Sequence, residues 1–436
     1  MAKDIQGIGL GLASRFAGSE LAQKTGLRKP VEKLAYLGTR AGFRLAGSFI
    51  KRKERPTDSS PGERLPNSRE KNLFDLTLTE EQLMIRDSVQ AFARDVVRPL
   101  AHDADELKNL PDGYLQQTME LGLNLFAVPE SLGGAAQSYS PTTSALIAED
   151  LAWGDFSLAL SAQAPVAVAN AIVRWGTRAQ QEKWLPLWLS ETPVLAAIAV
   201  QESGALFRPR DLATTAKSSR QGFVLKGEKT LVPLAGNASL YLVAALYDGK
   251  PRLFLVPADA KGVSFTASQA MGLKAAATGT LQLDAVQLPA DALLGDEKGD
   301  FDYQAFIDLG QLHWCALAVG TCQAALDYLI PYCNERIAFG EPISHRQSVA
   351  FMLADMATEI EGMRLMLWRA AARAEQGMSF HREAMLAHLL CAEKAMKIGT
   401  DAVQLLGGHG FTKEHPAERW YRDLRVLSCI SGGLHL

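Results

Sequence analysis

Between Val194 and Leu294 the chain changes period, and that change constrains its fold more than any other feature of the sequence. Short alternating or β-branched runs stand there between Gly, Asn, Asp and Pro: Phe223-Val224-Leu225, Leu240-Tyr241-Leu242-Val243, Leu253-Phe254-Leu255-Val256 and Leu281-Gln282-Leu283. Such runs predict strands of a small barrel or sandwich. On either side, apolar residues return every three or four positions. Upstream, Thr79-Glu80-Glu81-Gln82 has the spacing of a capping box, Ile85, Val89, Phe92 and Val96 follow at helical intervals, and helices are expected to about Leu189. Downstream, Leu312, Leu317, Val319 and Leu326 fall in one predicted helix and Met352 to Ala371 in another. The order predicts a mainly α protein with a central β domain: an N-terminal helical domain at 71–193, a middle domain at 194–297 and a C-terminal helical bundle at 298–436, behind an extension and linker at 1–70.

A chain of 436 residues, 47% hydrophobic, is too long for one simple core, which agrees with that division. The most apolar run, Phe156 to Val173, is rich in Ala and Ser and holds Gln163, Pro165 and Asn170, so it is expected to be a buried helix and not a membrane span. Cys315, Cys322, Cys333, Cys391 and Cys429 show no paired short spacing, which argues against a disulfide framework or a zinc site and for a reducing compartment. The eight histidines form no metal-ligand pattern. With a formal net charge of −3, no nucleic-acid partner is expected. The charge is uneven, because residues 1–56 carry twelve Lys/Arg against four Asp/Glu. Leu34, Leu37, Phe43, Leu45, Phe49 and Ile50 alternate there with Arg40, Arg44 and Lys51 as in basic amphipathic helices. Such helices suit an anionic membrane surface or a partner, and equally an appendage packed on the body. The location expected is cytoplasmic, with peripheral contact at the inner membrane surface.

Several local motifs narrow the reading. They are Leu121-Gly122-Leu123 with Val128-Pro129-Glu130 and Gly133-Gly134; Arg336-Ile337-Ala338-Phe339-Gly340 with Gln347 and Leu353-Ala354-Asp355-Met356; Gln404-Leu405-Leu406-Gly407-Gly408-His409-Gly410-Phe411; and Tyr421-Arg422-Asp423. An anionic pyrophosphate needs a fixed cation and polar donors, which Arg336 at a helix end and Gln347 beyond a Phe-Gly turn supply. Gly407-Gly408 ends a helix and lets a ligand approach bare backbone. In this order and spacing, from about Leu78 to the last residue, the motifs resemble the acyl-CoA dehydrogenase family. The resemblance implies a C-terminal four-helix bundle, FAD, an acyl-CoA or acyl-carrier thioester, and removal of an α-proton with β-hydride transfer to the flavin. Arg336, Phe339, Gln347, Gln404, Gly407, Gly408 and Gln201 are its implied cofactor-binding residues. It also implies a dimer or dimer of dimers, in which Arg336 reaches the neighbour's flavin, and an electron-transfer flavoprotein as a partner.

The family pattern is broken where its chemistry would occur. In most members a Glu in the loop after Tyr-Arg-Asp takes the α-proton, and Ser431 stands at that position. Other members carry the Glu on the first helix of the C-terminal bundle, where Asp308-Leu309-Gly310-Gln311-Leu312 puts Gly310. His313, three residues on, shares the face of Gly310 and is a candidate relocated base; a packing role is the competing reading, and Asp308 is a weaker candidate. Gln201-Glu202-Ser203-Gly204 opens a flavin-side loop that carries the added Arg208 and Arg210, which suit either a phosphate or a solvated loop. Leu231 replaces the Trp that flanks the ring, and Pro233 replaces a Thr, losing both hydroxyl and backbone N–H. The adenosine side of the FAD site is thus expected intact and the isoalloxazine side altered. The chain ends at Leu436, where the family adds a helix, so this edge is either cut short or covered by something else. Three readings follow: an acyl-CoA dehydrogenase-type oxidoreductase with an unusual base, a non-catalytic or half-site subunit of a hetero-oligomer, and a flavin monooxygenase on the same fold.

Overall fold

The computed structural model describes residues 77–430 except 193, 205–206, 298 and 300, all within the unit Phe74–Leu436. The basic extension at 1–56, with its expected membrane contact, and Ser431 lie outside the described residues.

The capping box forms as its spacing requires. The Gln82 backbone N–H donates to Thr79 Oγ1 at 3.1 Å and the Thr79 N–H to Gln82 Oε1 at 3.0 Å, starting α1 (Glu80–Phe92). The N-terminal layer continues through α2 (Arg98–Leu107), α3 (Tyr114–Glu120), α4 (Leu123–Ala127), α5 (Pro141–Gly154), α6 (Phe156–Trp175) and α7 (Arg178–Trp184). Among the described residues α6 is the one helix long and apolar enough to cross a membrane, and 89% of its apolar window is buried inside the protein. It is the core helix its sequence predicts.

The middle domain is one curled seven-stranded sheet of β1 (Ala196–Ala199), β2 (Thr215–Ser219), β3 (Gly222–Val232), β4 (Leu240–Tyr247), β5 (Lys250–Pro257), β6 (Val263–Ala267) and β7 (Gly279–Leu288), and the four predicted runs fall in β3, β4, β5 and β7. The order is β1-β4-β2-β3-β7-β6, with β5 along the other edge of β4. Strand β3 slips register between Lys229 and Val232, and Leu231 takes a φ of +52° in that slip. The left-handed region is unusual for leucine, and such strain is held only where the surroundings enforce it.

Three long helices, α8 (Tyr303–Glu335), α9 (Gln347–Glu375) and α10 (His381–Leu406), form the C-terminal bundle with the eight-residue α11 (Ala417–Leu424) as its fourth member. Helix α8 lies against α5 so closely that a Cβ on Gly320 would sit 1.9 Å from the Glu149 carbonyl oxygen, and glycine alone permits that contact.

Candidate functional site

Helix α8 ends at Arg336, and the next residues form a two-residue hairpin of β8 (Ile337–Ala338) with β9 (Glu341–Pro342). Phe339 and Gly340 make its turn at φ +55° and +86°, which leaves the Phe339 ring 93% exposed. A second backbone feature faces this turn. Helix α10 stops at Leu406, and Gly407 adopts φ 60°, ψ −131°, a conformation that favours glycine. A Cβ at Gly407 or Gly408 would meet nothing within 4 Å, so both present bare backbone to open space. Arg336, Phe339, Gln404, Gly407 and Gly408 line one groove of about 1220 Å³. Arg346 adds a second cation there, bound to Glu341 at 3.1 Å and set over the Phe339 ring at 5.8 Å. Gln347 starts α9; its neighbours Arg346 and Ser348 line the groove and Gln347 itself does not. Five of the implied cofactor residues therefore meet on one surface, with the positive charge, apolar ring and open backbone that an adenosine diphosphate group requires.

Gln201 is in a different place. It follows β1 and is buried; its carbonyl accepts from the Thr230 N–H at 2.8 Å and its Nε2 donates to the Cys429 carbonyl at 3.3 Å. It joins the sheet to the segment that leads into Ser431. Beyond the β3 slip, Pro233 is buried, and the next two backbone N–H groups are already used: Leu234 donates to Ala276 at 3.0 Å and Ala235 to Ala277 at 3.2 Å. This stretch therefore has no spare donor from 233 to 235 for the edge of a flavin ring.

The candidate bases are enclosed. Gly310 and His313 are both buried on α8. Asp308 is buried too, with His381 Nδ1 at 2.9 Å from one carboxylate oxygen and the Gln304 amide donating to the other at 2.6 Å. Burial raises the Asp308 pKa, while these two partners oppose the rise. Arg210 donates through Nε to Gln304 at 2.8 Å and so joins this chain of contacts, whereas Arg208 has only an exposed pair with Asp211 at 3.8 Å.

Two buried networks support the site, and neither is visible from sequence spacing. Lys229, 0% exposed, donates to Glu202 at 2.7 Å and to the Val200 carbonyl at 3.2 Å. Glu202 also accepts the backbone N–H groups of Ala213 at 2.6 Å and Thr214 at 2.9 Å, which joins the segment after β1 to the residues that lead into β2. Tyr421-Arg422-Asp423 acts as a clasp. Arg422 holds Asp105 on α2 at 2.8 Å, and Asp423 accepts from the Leu273 N–H at 2.7 Å and from the Ser157 hydroxyl at 3.1 Å. Together they tie α11 to the N-terminal helical layer and to the connection between β6 and β7, just before Cys429.

Burial, then repulsion from Asp155, pushes the Asp423 carboxyl up to about 7. An unfolded Asp titrates near about 4, so between these values the folded state holds more protons and stability falls as pH rises. Asp423→Asn keeps the shape and cannot titrate, so its thermal midpoint is expected to fall less over that window than the wild type's. Equal slopes in the two proteins would assign the linkage to another group.

The comparisons with known proteins agree with this architecture. The sequence matches the acyl-CoA dehydrogenase N-terminal domain over residues 79–192, the middle domain over 197–286 and the C-terminal domain over 302–434. It is 32% identical over 368 residues to the short-chain specific acyl-CoA dehydrogenase, mitochondrial, of Bos taurus, covering 81% of this chain and 87% of that one. A probable acyl-CoA dehydrogenase of Bacillus subtilis (strain 168), YngJ, is 34% identical over 364 residues, with 81% and 95% covered. Butyryl-CoA dehydrogenase from Megasphaera elsdenii superposes with a TM-score of 0.76 at 28% identity, over 83% of this chain and 96% of that one.

Proposed function

The chain belongs to the acyl-CoA dehydrogenase family, and from that membership we propose that it is an FAD-binding oxidoreductase subunit acting on an acyl-CoA thioester within an oligomer. The observation that carries this reading is the groove at Arg336. Its guanidinium would meet the pyrophosphate, Gly407 and Gly408 would offer backbone to the adenosine, and the exposed Phe339 ring would pack on what a second subunit brings. When bound, FAD accepts hydride from the β-carbon of the thioester. The chain itself must hold the thioester, exclude water and take the α-proton.

That last task has no carboxylate at either family position, since Ser431 and Gly310 stand there. Asp308 is engaged with His381 and Gln304, and His313 lies within the helix core. A second reading gains weight from Pro233 and the donors already spent at Leu234 and Ala235: this chain is a half-site subunit, whose groove completes the flavin site of a partner that carries the Glu. A monooxygenase needs the same ring contacts and is not favoured by them. An electron-transfer flavoprotein is the proposed acceptor for the assembly.

The test is the visible absorption spectrum of the purified chain, alone and co-expressed with a Glu-bearing family member, before and after butyryl-CoA. Flavin that bleaches in the chain alone supports an independent enzyme. Flavin and bleaching confined to the co-purified complex support the half-site reading. Flavin in neither preparation overturns both.

A further inference from the structure

A second cavity lies in the N-terminal helical layer and shares no lining residue with the Arg336 groove. Its origin is the polar interruption of α6. Gln163 and Asn170 are seven residues apart, two helical turns, and so share a face with Val166 and Val173. That face forms one wall of a cavity of about 410 Å³, within the range of small-molecule sites. Ile85 on α1, Leu123 and Phe126 on α4, and Ile147 on α5 supply apolar surface opposite.

The two amides are nine-tenths buried or more, at 2% and 6% exposure, and the Gln163 side-chain nitrogen has no hydrogen-bond partner. Buried amides are nearly always satisfied, and the Gln163 nitrogen borders space in which a ligand could supply the missing acceptor. Two exposed carboxylates on the lining, Glu81 and Glu375, repel an anion; Glu375 accepts the Ser140 hydroxyl at 2.7 Å. The spacing of the amides along the helix is about 10 Å, from a rise of 1.5 Å per residue.

We infer that this cavity binds a neutral, elongated, mainly apolar molecule carrying hydroxyl or amide groups about 10 Å apart, with Gln163 and Asn170 as its two polar anchors. The intervening methylene chain packs on Val166. The inference is independent of flavin binding and of the oligomer.

The test titrates 1,8-octanediol into the full-length chain by calorimetry, with suberate, the dianion of the same length, as control. Saturable binding of the diol without binding of suberate is expected, weakened about tenfold in Gln163→Leu and in Asn170→Leu, the loss of one hydrogen bond. Both substitutions place an apolar residue in an apolar helix, and circular dichroism checks their fold. The inference fails if the diol does not bind the wild type, if suberate binds as well as the diol, or if both folded variants bind the diol as tightly as the wild type. The wild-type comparison of diol with suberate decides the matter even if neither variant folds.

Discussion

Ser431→Glu is expected to raise the rate at which butyryl-CoA bleaches the bound flavin by about 100- to 10,000-fold, the usual contribution of a positioned general base. By the resemblance Ser431 stands where most of the family keeps a Glu, so the substitution would supply a carboxylate there, two residues beyond Cys429, whose carbonyl accepts from Gln201. A serine hydroxyl has no comparable basicity near neutral pH, so the wild-type rate sets a low baseline. The measurement is stopped-flow absorbance on flavin-loaded protein, as the chain alone or in the co-purified complex. His313→Gln serves as the companion variant. If His313 were the base, that change would abolish the wild-type rate and Ser431→Glu would add little. If His313 only packs within α8, its replacement alters stability and leaves the chemistry of Ser431→Glu in place.

Glu202→Ala should destabilise the fold by about 3–5 kcal/mol, the cost of leaving one member of a buried ion pair without its partner. Lys229 would remain in the sheet with only the Val200 carbonyl, and the Ala213 and Thr214 N–H groups would lose their acceptor. Burial already pushes the Lys229 ammonium down to about 8 against the attraction of Glu202. Burial by itself would raise the Glu202 pKa, yet the Lys229 charge and the donors from Lys229, Thr214 and Ala213 bring it below its ordinary value. Both signs can be tested. Glu202 contributes stability above its unfolded pKa and loses it as pH falls through the lower folded value. Glu202→Ala removes the attraction that holds the folded Lys229 pKa at about 8, so the variant's Lys229 loses its proton at lower pH and the deficit relative to the wild type should shrink as pH rises toward about 8 and level off above it. Denaturant unfolding across this pH range measures it. Lys229→Met with Glu202→Gln, which removes both charges and keeps an acceptor for the loop, is expected to lose much less than Glu202→Ala. A loss below about 1 kcal/mol for Glu202→Ala would mean that the pair is solvated and carries little.

The residues legible in the sequence were those whose role is local. The alternation in Leu240–Val243 and Leu253–Val256 identifies β4 and β5, and the Thr79–Gln82 box starts α1 as written. Strand β1 escaped because Ala196–Ala199 is buried on every residue and so does not alternate, and β6 because nearly all of it is exposed. Ordered motifs found the groove, since Arg336, Phe339, Gln404 and Gly407-Gly408 each mark a helix end or a turn. What escaped was long-range. Lys229 and Glu202 are 27 residues apart, and Asp423 pairs with a backbone N–H 150 residues away, a donor that every residue but proline has. Gln163 and Asn170 were visible as polar breaks in an apolar run, but their meaning depends on the cavity wall they form.

No residue that lines the Arg336 groove belongs to the Gln201, Leu231 and Pro233 segment, so damage to one leaves the other whole. The consequence is genetic. If the groove serves the neighbouring subunit, one allele carrying Arg336→Ala and another defective only at the ring would each be null when expressed singly. Expressed in the same cell they would assemble mixed dimers in which one of the two sites combines two undamaged halves, and growth would return by complementation between two broken copies of a single gene. A chain built in this way is free to let its own ring pocket decay while selection on its partner preserves the groove.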